Sequence, residues 1–335
     1  MKAAQLDQYQ TKFMLTVRDV EKPKLADNEV LIKVRYAAIN PLDNLIGTGA
    51  VRTLQGATPP FTMGSELSGT IEAVSSGINA FRPGDQVYAR LPLPRIGSFA
   101  EYVAVDQDVI DKVPEEFSMR TASAMPQVGL LAYQGLTDEL AMQAGQTLFL
   151  SDATDNLAAV VIPMASAMGV TVITVGTGET KQHALNLGAK QVIDPGSTNF
   201  WEVLSNIDAV MESTGSDQVA HEMEILKRGG TLLSIVAGPD ALLAANHDLS
   251  FWQRVTQSVR GREMDYKAKK LGINYRFIFT SADGYELSKI SAMVKSHTMT
   301  PRVDPTSFSL DRINDALNYA RGGLCQGSVI IKVAP

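Results

Sequence analysis

The chain predicts an α/β protein in two parts, a β-rich domain and a doubly wound parallel-sheet domain, on three observations. Before Ser118, short alternating strands are broken by turn residues. Beyond it, short apolar strands alternate with helix-length segments, as in a parallel sheet with helices on both faces. The closing segments, from Phe308 onward, return to the mixed style of the beginning and are expected to rejoin the first domain.

The elements follow in order. Glu29–Tyr36 alternates as a half-buried strand should, and Gly69–Val74 is another. Pro83-Gly-Asp85 makes a turn ahead of a strand reaching Tyr88, and Gly97–Val105 gives one more. Met119–Leu136 reads as helix broken at Pro126 and Gly129. Thr147–Leu150, a polar turn, an apolar helix and Val170–Gly176 then form a βαβ unit. Further strands are expected at Gln191–Asp194, Ile207–Glu212, Gly230–Val236 and Ile273–Thr280, with a helix from Gly284 to Ser296. The expected domains are residues 1–120 with 272–335, and residues 121–271.

Composition narrows the function. At 335 residues, 45% hydrophobic and 20% charged, the chain can bury two full cores. A net charge of −6 gives no electrostatic reason for a nucleic acid or an anionic membrane as partner. No apolar run approaches a bilayer span, so a cytoplasmic protein is expected. The single cysteine, Cys325, leaves no intrachain disulfide and no cysteine cluster for zinc. His183, His221, His247 and His297 lack metal-ligand spacing, and no metal is expected.

The turn after Leu150 is where frame and chemistry part. In a dinucleotide-binding βαβ unit it carries glycines, so that the backbone can approach a pyrophosphate. Here it carries Asp152, Asp155 and Asn156, with Ala158 at the last glycine position. One carboxylate about 5 Å from a phosphate charge costs on the order of 3 kcal/mol at an effective dielectric near 20. Pro163, inside the next helix, costs roughly 3 kcal/mol or forces a kink. The strand ending at Gly176 has no acidic residue at its tip for a ribose 2′-hydroxyl. That favours NADP(H) over NAD(H), with Thr177 and Lys181 as 2′-phosphate contacts. A solvated loop with Thr180 as helix cap is the alternative, and Glu179 speaks for it.

The order of segments resembles the medium-chain dehydrogenase/reductase superfamily, in its zinc-independent quinone oxidoreductase-like branch, over essentially the whole chain. The residues that carry the resemblance are Ala38-Ile-Asn-Pro-Leu-Asp43, Gly64-Ser-Glu-Leu-Ser-Gly69, Gly84-Asp85, Gly97-Ser-Phe-Ala-Glu-Tyr102, Leu187-Gly-Ala-Lys-Gln-Val-Ile-Asp194 and Tyr275-Arg-Phe-Ile-Phe279. It implies a GroES-like domain built from both chain ends, a Rossmann domain, and a cleft between them. The segments that hold zinc ligands in zinc-dependent relatives read Asn40-Pro-Leu-Asp43 and Gly64-Ser-Glu66 here, so no zinc is implied. Asn40 and Asp43 would line the cleft and orient hydrogen bonds; a satisfied turn after a strand would use the same pair.

The resemblance places cofactor contacts at Gln127, Leu131, Ala153, Thr154, Asn156, Leu157, Gly176, Thr177, Lys181, Gly215 and Gly238. Gly215 and Gly238 read equally as ordinary strand-end glycines. Leu131 stands where the family has a threonine facing the nicotinamide, and Ser328 replaces a lysine before the last strand. The activity implied is NADPH-dependent hydride transfer to a quinone, enone or other activated carbonyl. The alternatives are a non-catalytic relative that lost phosphate binding and serves as a small-molecule or partner-binding protein, and an enzyme using another cleft ligand. Tyr88, Arg90 and Tyr133 are candidates to line the cleft. A homodimer is implied, with Asn274–Thr280 as an edge strand able to pair with its mate.

Overall fold

Eleven residues, Glu29–Ile39, organise the first part of the molecule as strand β3. In the computed structural model, which describes residues 1–153, 156–215, 218–235, 264–296, 299–323 and 325–334, this strand meets three neighbours. Its first half pairs with β7 (Tyr102–Asp106), its last residues with β16 (Ser328–Lys332), and its other edge with β5 (Glu66–Val74), all antiparallel. The sheet runs β15 (Val303–Ser309), β16, β3, β5, β6 (Gln86–Arg90), β8 (Ile110–Lys112). A smaller sheet joins β2 (Leu15–Asp19), β1 (Lys2–Leu6) and β4 (Phe61–Thr62). The return of the chain end to β3 agrees with the mixed pattern after Phe308. β3 and β5 shift register twice, and there Gly69 lies so close to β3 that a Cβ would stand 2.5 Å from the Lys33 carbonyl oxygen. Only glycine fits such an approach.

In this unit helix α1 (Pro41–Gly47) follows β3, α2 (Arg52–Gln55) follows α1, and α3 (Met119–Ala122) follows β8. α4 (Pro126–Gln134) begins on Pro126, which suits a first helical position, and runs through Gly129 without a break. α9 (Gly284–Ser296) and α10 (Ile313–Arg321) come from the last third of the chain.

The second unit is a six-stranded sheet, parallel throughout, in the order β11 (Gln191–Ile193), β10 (Thr171–Val175), β9 (Thr147–Leu150), β12 (Ile207–Glu212), β13 (Leu226–Ser234), β14 (Asn274–Phe277). Strand order reverses between β9 and β12, and in such sheets ligands sit beyond the carboxyl ends at that point. Phe149, Ile173, Ile193, Phe200, Val210, Leu232 and Tyr275 share one core. Among the helices α5 (Ala158–Ala167), α6 (Gly178–Asn186), α7 (Phe200–Val203) and α8 (Val219–Glu224), α5 carries Pro163 inside it and is buried along most of its length. Burial of nearly every side chain of α5 offsets the lost backbone hydrogen bond.

The two compact units are residues 1–130, 281–296 and 300–335, and residues 131–280 and 297–299. The divisions fall later than 120 and 271. α3 packs on β3 and β5, keeping the segment before α4 with the first unit. β14 pairs with β13, which holds 274–277 in the parallel sheet. Among the described residues, no helix is long and apolar enough to cross a membrane.

Candidate active site

Strand β3 ends at Ile39, and Pro41 starts α1 at once, so Asn40 becomes the helix cap with extended backbone. Three residues on, Asp43 turns back and its Oδ2 accepts the Asn40 backbone N–H at 2.8 Å. This is the reciprocal half of a capping box. Asp43 is fully buried, its Oδ1 finds no partner, and burial pushes its carboxyl up to about 7.

The half-buried Asn40 side chain has its own anchor. Its Nδ2 donates to Glu66 Oε1 at 2.8 Å, and Glu66 Oε2 accepts the Gln127 backbone N–H at 2.8 Å. Gln127 lies in the first turn of α4, where N–H groups lack intrahelical partners and a carboxylate is favoured. Glu66 is 1% exposed. Burial pushes it up to about 7, against the Gln127 and Asn40 donors; Asp43 raises it further and Arg90 opposes. Arg90 faces Glu66 as its cross-strand register partner on β6. It is 2% exposed, and its Nε donates to Gln127 Oε1 at 3.2 Å. Burial lowers its guanidinium to about 10, with Glu66 holding it up.

Asn40, Asp43 and Gln127 therefore meet around Glu66. The sequence reading missed Glu66 as a site residue and placed Arg90 only as a cleft lining. Its one signal was a glutamate inside a marker that also begins a buried strand. Tyr88 is fully buried, with its hydroxyl donating to the Leu287 carbonyl at 3.1 Å and bonded to Ser291 Oγ at 2.8 Å. It packs α9 onto the sheet and is enclosed within the first unit. Tyr133 is half-buried in α4.

In the second unit the remaining candidates follow the carboxyl ends of three strands. Ser151 joins β9 to β12, its Oγ accepting the Ser213 N–H at 2.9 Å. Ala153 is buried and its N–H is taken by the Val175 carbonyl at 3.1 Å. Asn156 is half-buried and Leu157 is packed inside, while Thr154 and Asp155 lie outside the described residues. Gly176 follows β10, where an added Cβ would meet Ala153 Cβ at 3.4 Å. Thr177 is the cap residue of α6, a place that the solvated-loop alternative gave to Thr180; its side chain makes no cap bond, and it and Lys181 are exposed. Gly215 has φ 63° and donates its N–H to Glu212 Oε1 at 2.5 Å, so that donor is committed. Leu131 is half-buried in the part of α4 that falls in this unit, and Gly238 lies outside the described residues. A small pocket beyond β10 is lined by Val175, Pro195, Phe200, Trp201 and Gln218. Trp201 is stacked on His221 with ring centroids 4.1 Å apart. Among the described residues, no group of three or more His, Cys, Asp or Glu is placed to hold a metal ion.

Two family models match, the alcohol dehydrogenase GroES-like domain over residues 26–115 and zinc-binding dehydrogenase over residues 187–331. The chain belongs to the medium-chain dehydrogenase/reductase superfamily, in its quinone oxidoreductase-like branch. Within that superfamily it is 26% identical over 326 residues to 2-methylene-furan-3-one reductase of Solanum lycopersicum, covering 95% of this chain and 75% of that protein. It is 26% identical over 243 residues to human quinone oxidoreductase, covering 70% of this chain and 73% of the relative. The fold matches Escherichia coli quinone oxidoreductase complexed with NADPH at a TM-score of 0.74 and 19% identity, over 99% of this chain and 100% of that one.

Proposed function

We propose that this oxidoreductase transfers hydride from NADPH to a quinone, an enone or another activated carbonyl, without zinc. The observation that carries the reading is Asn40, fixed by Glu66 in the segment that holds a zinc ligand in zinc-dependent relatives. A neutral amide can donate to or accept from a carbonyl acceptor without the charge of a metal. Quinones and enones take hydride readily, so orientation supplies most of what the side chains must contribute.

The second unit suits a dinucleotide at its strand-order reversal. Gly176 has no side chain, and the exposed Thr177 and Lys181 offer donors for a 2′-phosphate. Bound NADPH supplies the hydride at its nicotinamide ring. Ala153 and Gly215 shape the crevice rather than donate, because their N–H groups are engaged. Asp152, half-buried at the turn, works against an anion and is expected to make affinity salt-dependent. The reading as a binding protein without turnover is not favoured, since a reductase aligns over 95% of the chain.

The finer parts of the proposal are a cytoplasmic location, which rests on composition alone, and a homodimer formed through β14, the edge strand of its sheet among the described strands. Calorimetric titration with NADPH and NADH, followed by a quinone and enone panel, tests the core of it. Micromolar NADPH binding with turnover of one acceptor class is expected; binding of neither nucleotide would overturn it. Lys181→Ala should weaken NADPH roughly 10-fold, by about 1.4 kcal/mol, and leave NADH unchanged. Equal loss for both would remove Lys181 from the 2′-phosphate.

A further inference from the structure

Glu66 touches both Asn40 and the start of α4, and it is not needed to cap α1. Asp43 already caps α1 through the Asn40 backbone. The χ2 torsion of an asparagine is broad and roughly two-fold, so an unanchored amide samples orientations that exchange its donor and acceptor. Here Nδ2 is tied to Glu66 Oε1, which leaves Oδ1 and the second N–H of Nδ2 in a set direction. The other carboxylate oxygen is held by Gln127 N–H, and the Gln127 side chain in turn by Arg90.

We infer that Glu66 is the positioning residue of this site: one buried carboxylate, braced on the amino end of α4 and faced by Arg90, sets which atoms of the Asn40 amide are presented to a ligand. The inference rests on the reductase reading for the identity of that ligand, but not for the orientation itself. The charged groups that face Glu66 are Asp43 from α1 and Arg90 from β6, with Asn40 and Gln127 as its neutral partners. When Glu66 ionises it accepts from both donors. When it is protonated, one oxygen carries a hydrogen and one acceptor contact is weakened. Glu66→Gln keeps the shape but offers only one acceptor oxygen, so either Asn40 or Gln127 loses its partner.

The test is nuclear magnetic resonance on the full chain labelled with ¹⁵N-asparagine, with the Asn40 side-chain amide assigned by its loss in Asn40→Ser. In the wild type that signal should titrate with a midpoint near 7, the value to which Glu66 is raised. Glu66→Gln should remove the larger part of the titration, and Asp43→Asn should keep it at a lower midpoint while silencing that of the Asn40 backbone N–H. A side-chain signal indifferent to Glu66→Gln, or silenced by Asp43→Asn alone, would overturn the inference. If Glu66→Gln does not fold, Glu66→Asp serves in its place, because the shortened carboxylate should still titrate but move the amide less.

Turnover provides the second arm. Glu66→Gln should lower kcat roughly 10- to 100-fold, as a small misplacement does, with NADPH affinity within about twofold. A role limited to capping α4 predicts a lower Tm with kcat unchanged, and that result would also overturn it. Absence of turnover in the wild type would defeat the reductase reading and leave the resonance arm to decide the positioning role.

Discussion

Each unit buries an interacting pair of acidic side chains, Glu66 with Asp43 in the first and Glu212 with Glu222 in the second, and the two pairs are solved differently. In the first unit Glu66 is bonded to an amide and a helix N–H and faces Arg90, while Asp43 sits one contact away with one oxygen unpartnered. In the second, Glu212 at the end of β12 accepts from four neutral donors. These are Thr214 N–H at 2.7 Å, Thr214 Oγ1 at 3.2 Å, Gly215 N–H at 2.5 Å and Ser234 Oγ at 2.7 Å. Its companion Glu222, on α8, has a buried Oε2 without a partner, and burial, then the Glu212 charge, pushes it up to about 8. The difference shows what a buried cation is for. Arg90 opposes the burial and the Asp43 charge that raise Glu66 to about 7, so a share of Glu66 is charged at neutral pH to hold the Asn40 amide. In the second unit the companion carboxyl keeps its proton instead.

The largest effect should come from removing that cation. Arg90→Met conserves much of the volume but leaves Glu66 and Asp43 facing each other without compensation. Breaking one side of a buried charge arrangement costs about 3–5 kcal/mol. Urea unfolding at pH 8 should show a loss of that order, shrinking at pH 5, where both carboxyls take up protons. A loss equal at the two pH values would mean Arg90 acts through packing alone. Glu222→Gln, the matching change in the other unit, should be neutral or stabilising at pH 8.

The pH dependence of the wild type separates the pairs further. Asp43, with an ordinary value of 3.8, is raised to about 7. Its proton is thus held by the folded protein and released by the unfolded chain between about pH 4 and 7, so stability falls as pH rises through that window. Asp43 accounts for up to about 4 kcal/mol of that fall. Glu66, raised from 4.5 to about 7, declines through the same window, so Asp43→Asn should reduce the slope between pH 5 and 7 by roughly half rather than remove it. Glu222, raised from 4.5 to about 8, extends the decline upward. Glu222→Gln should therefore remove the last part of it, about 1 kcal/mol between pH 7 and 8. Guanidinium melts at half-unit pH intervals give both slopes, and a wild-type profile that rises from pH 5 to 8 would contradict the assignment.

How much of this could be read beforehand divides along the same line. β12 and α9 fall where periodicity put them, Ile207–Glu212 and Gly284–Ser296, because a buried strand or an amphipathic helix is a local pattern. β14 was readable as a strand but not as part of the parallel sheet, since its partner β13 lies beyond a long intervening segment. Asn40 and Asp43 were legible because Asn-Pro-x-Asp is a local cap. Glu66 was not, because its meaning depends on Arg90 lying opposite in the sheet and on α4 starting above it, and neither is encoded near Glu66 in the chain.

The smallest effect expected is at Ser151, which does for the second unit with a hydroxyl what Glu66 does for the first with a charge. Its Oγ accepts the Ser213 N–H at 2.9 Å and so ties the end of β9 to the end of β12 where strand order reverses. Ser151→Ala leaves that half-buried N–H without its acceptor, at a cost of about 1 kcal/mol. The contact is neutral, so the loss should be the same at pH 5 and pH 8, unlike every change around Glu66. A pH-dependent loss at Ser151 would mean that the Glu212 and Glu222 pair reaches into the crevice, and the contrast between the two units would narrow to the presence of Arg90.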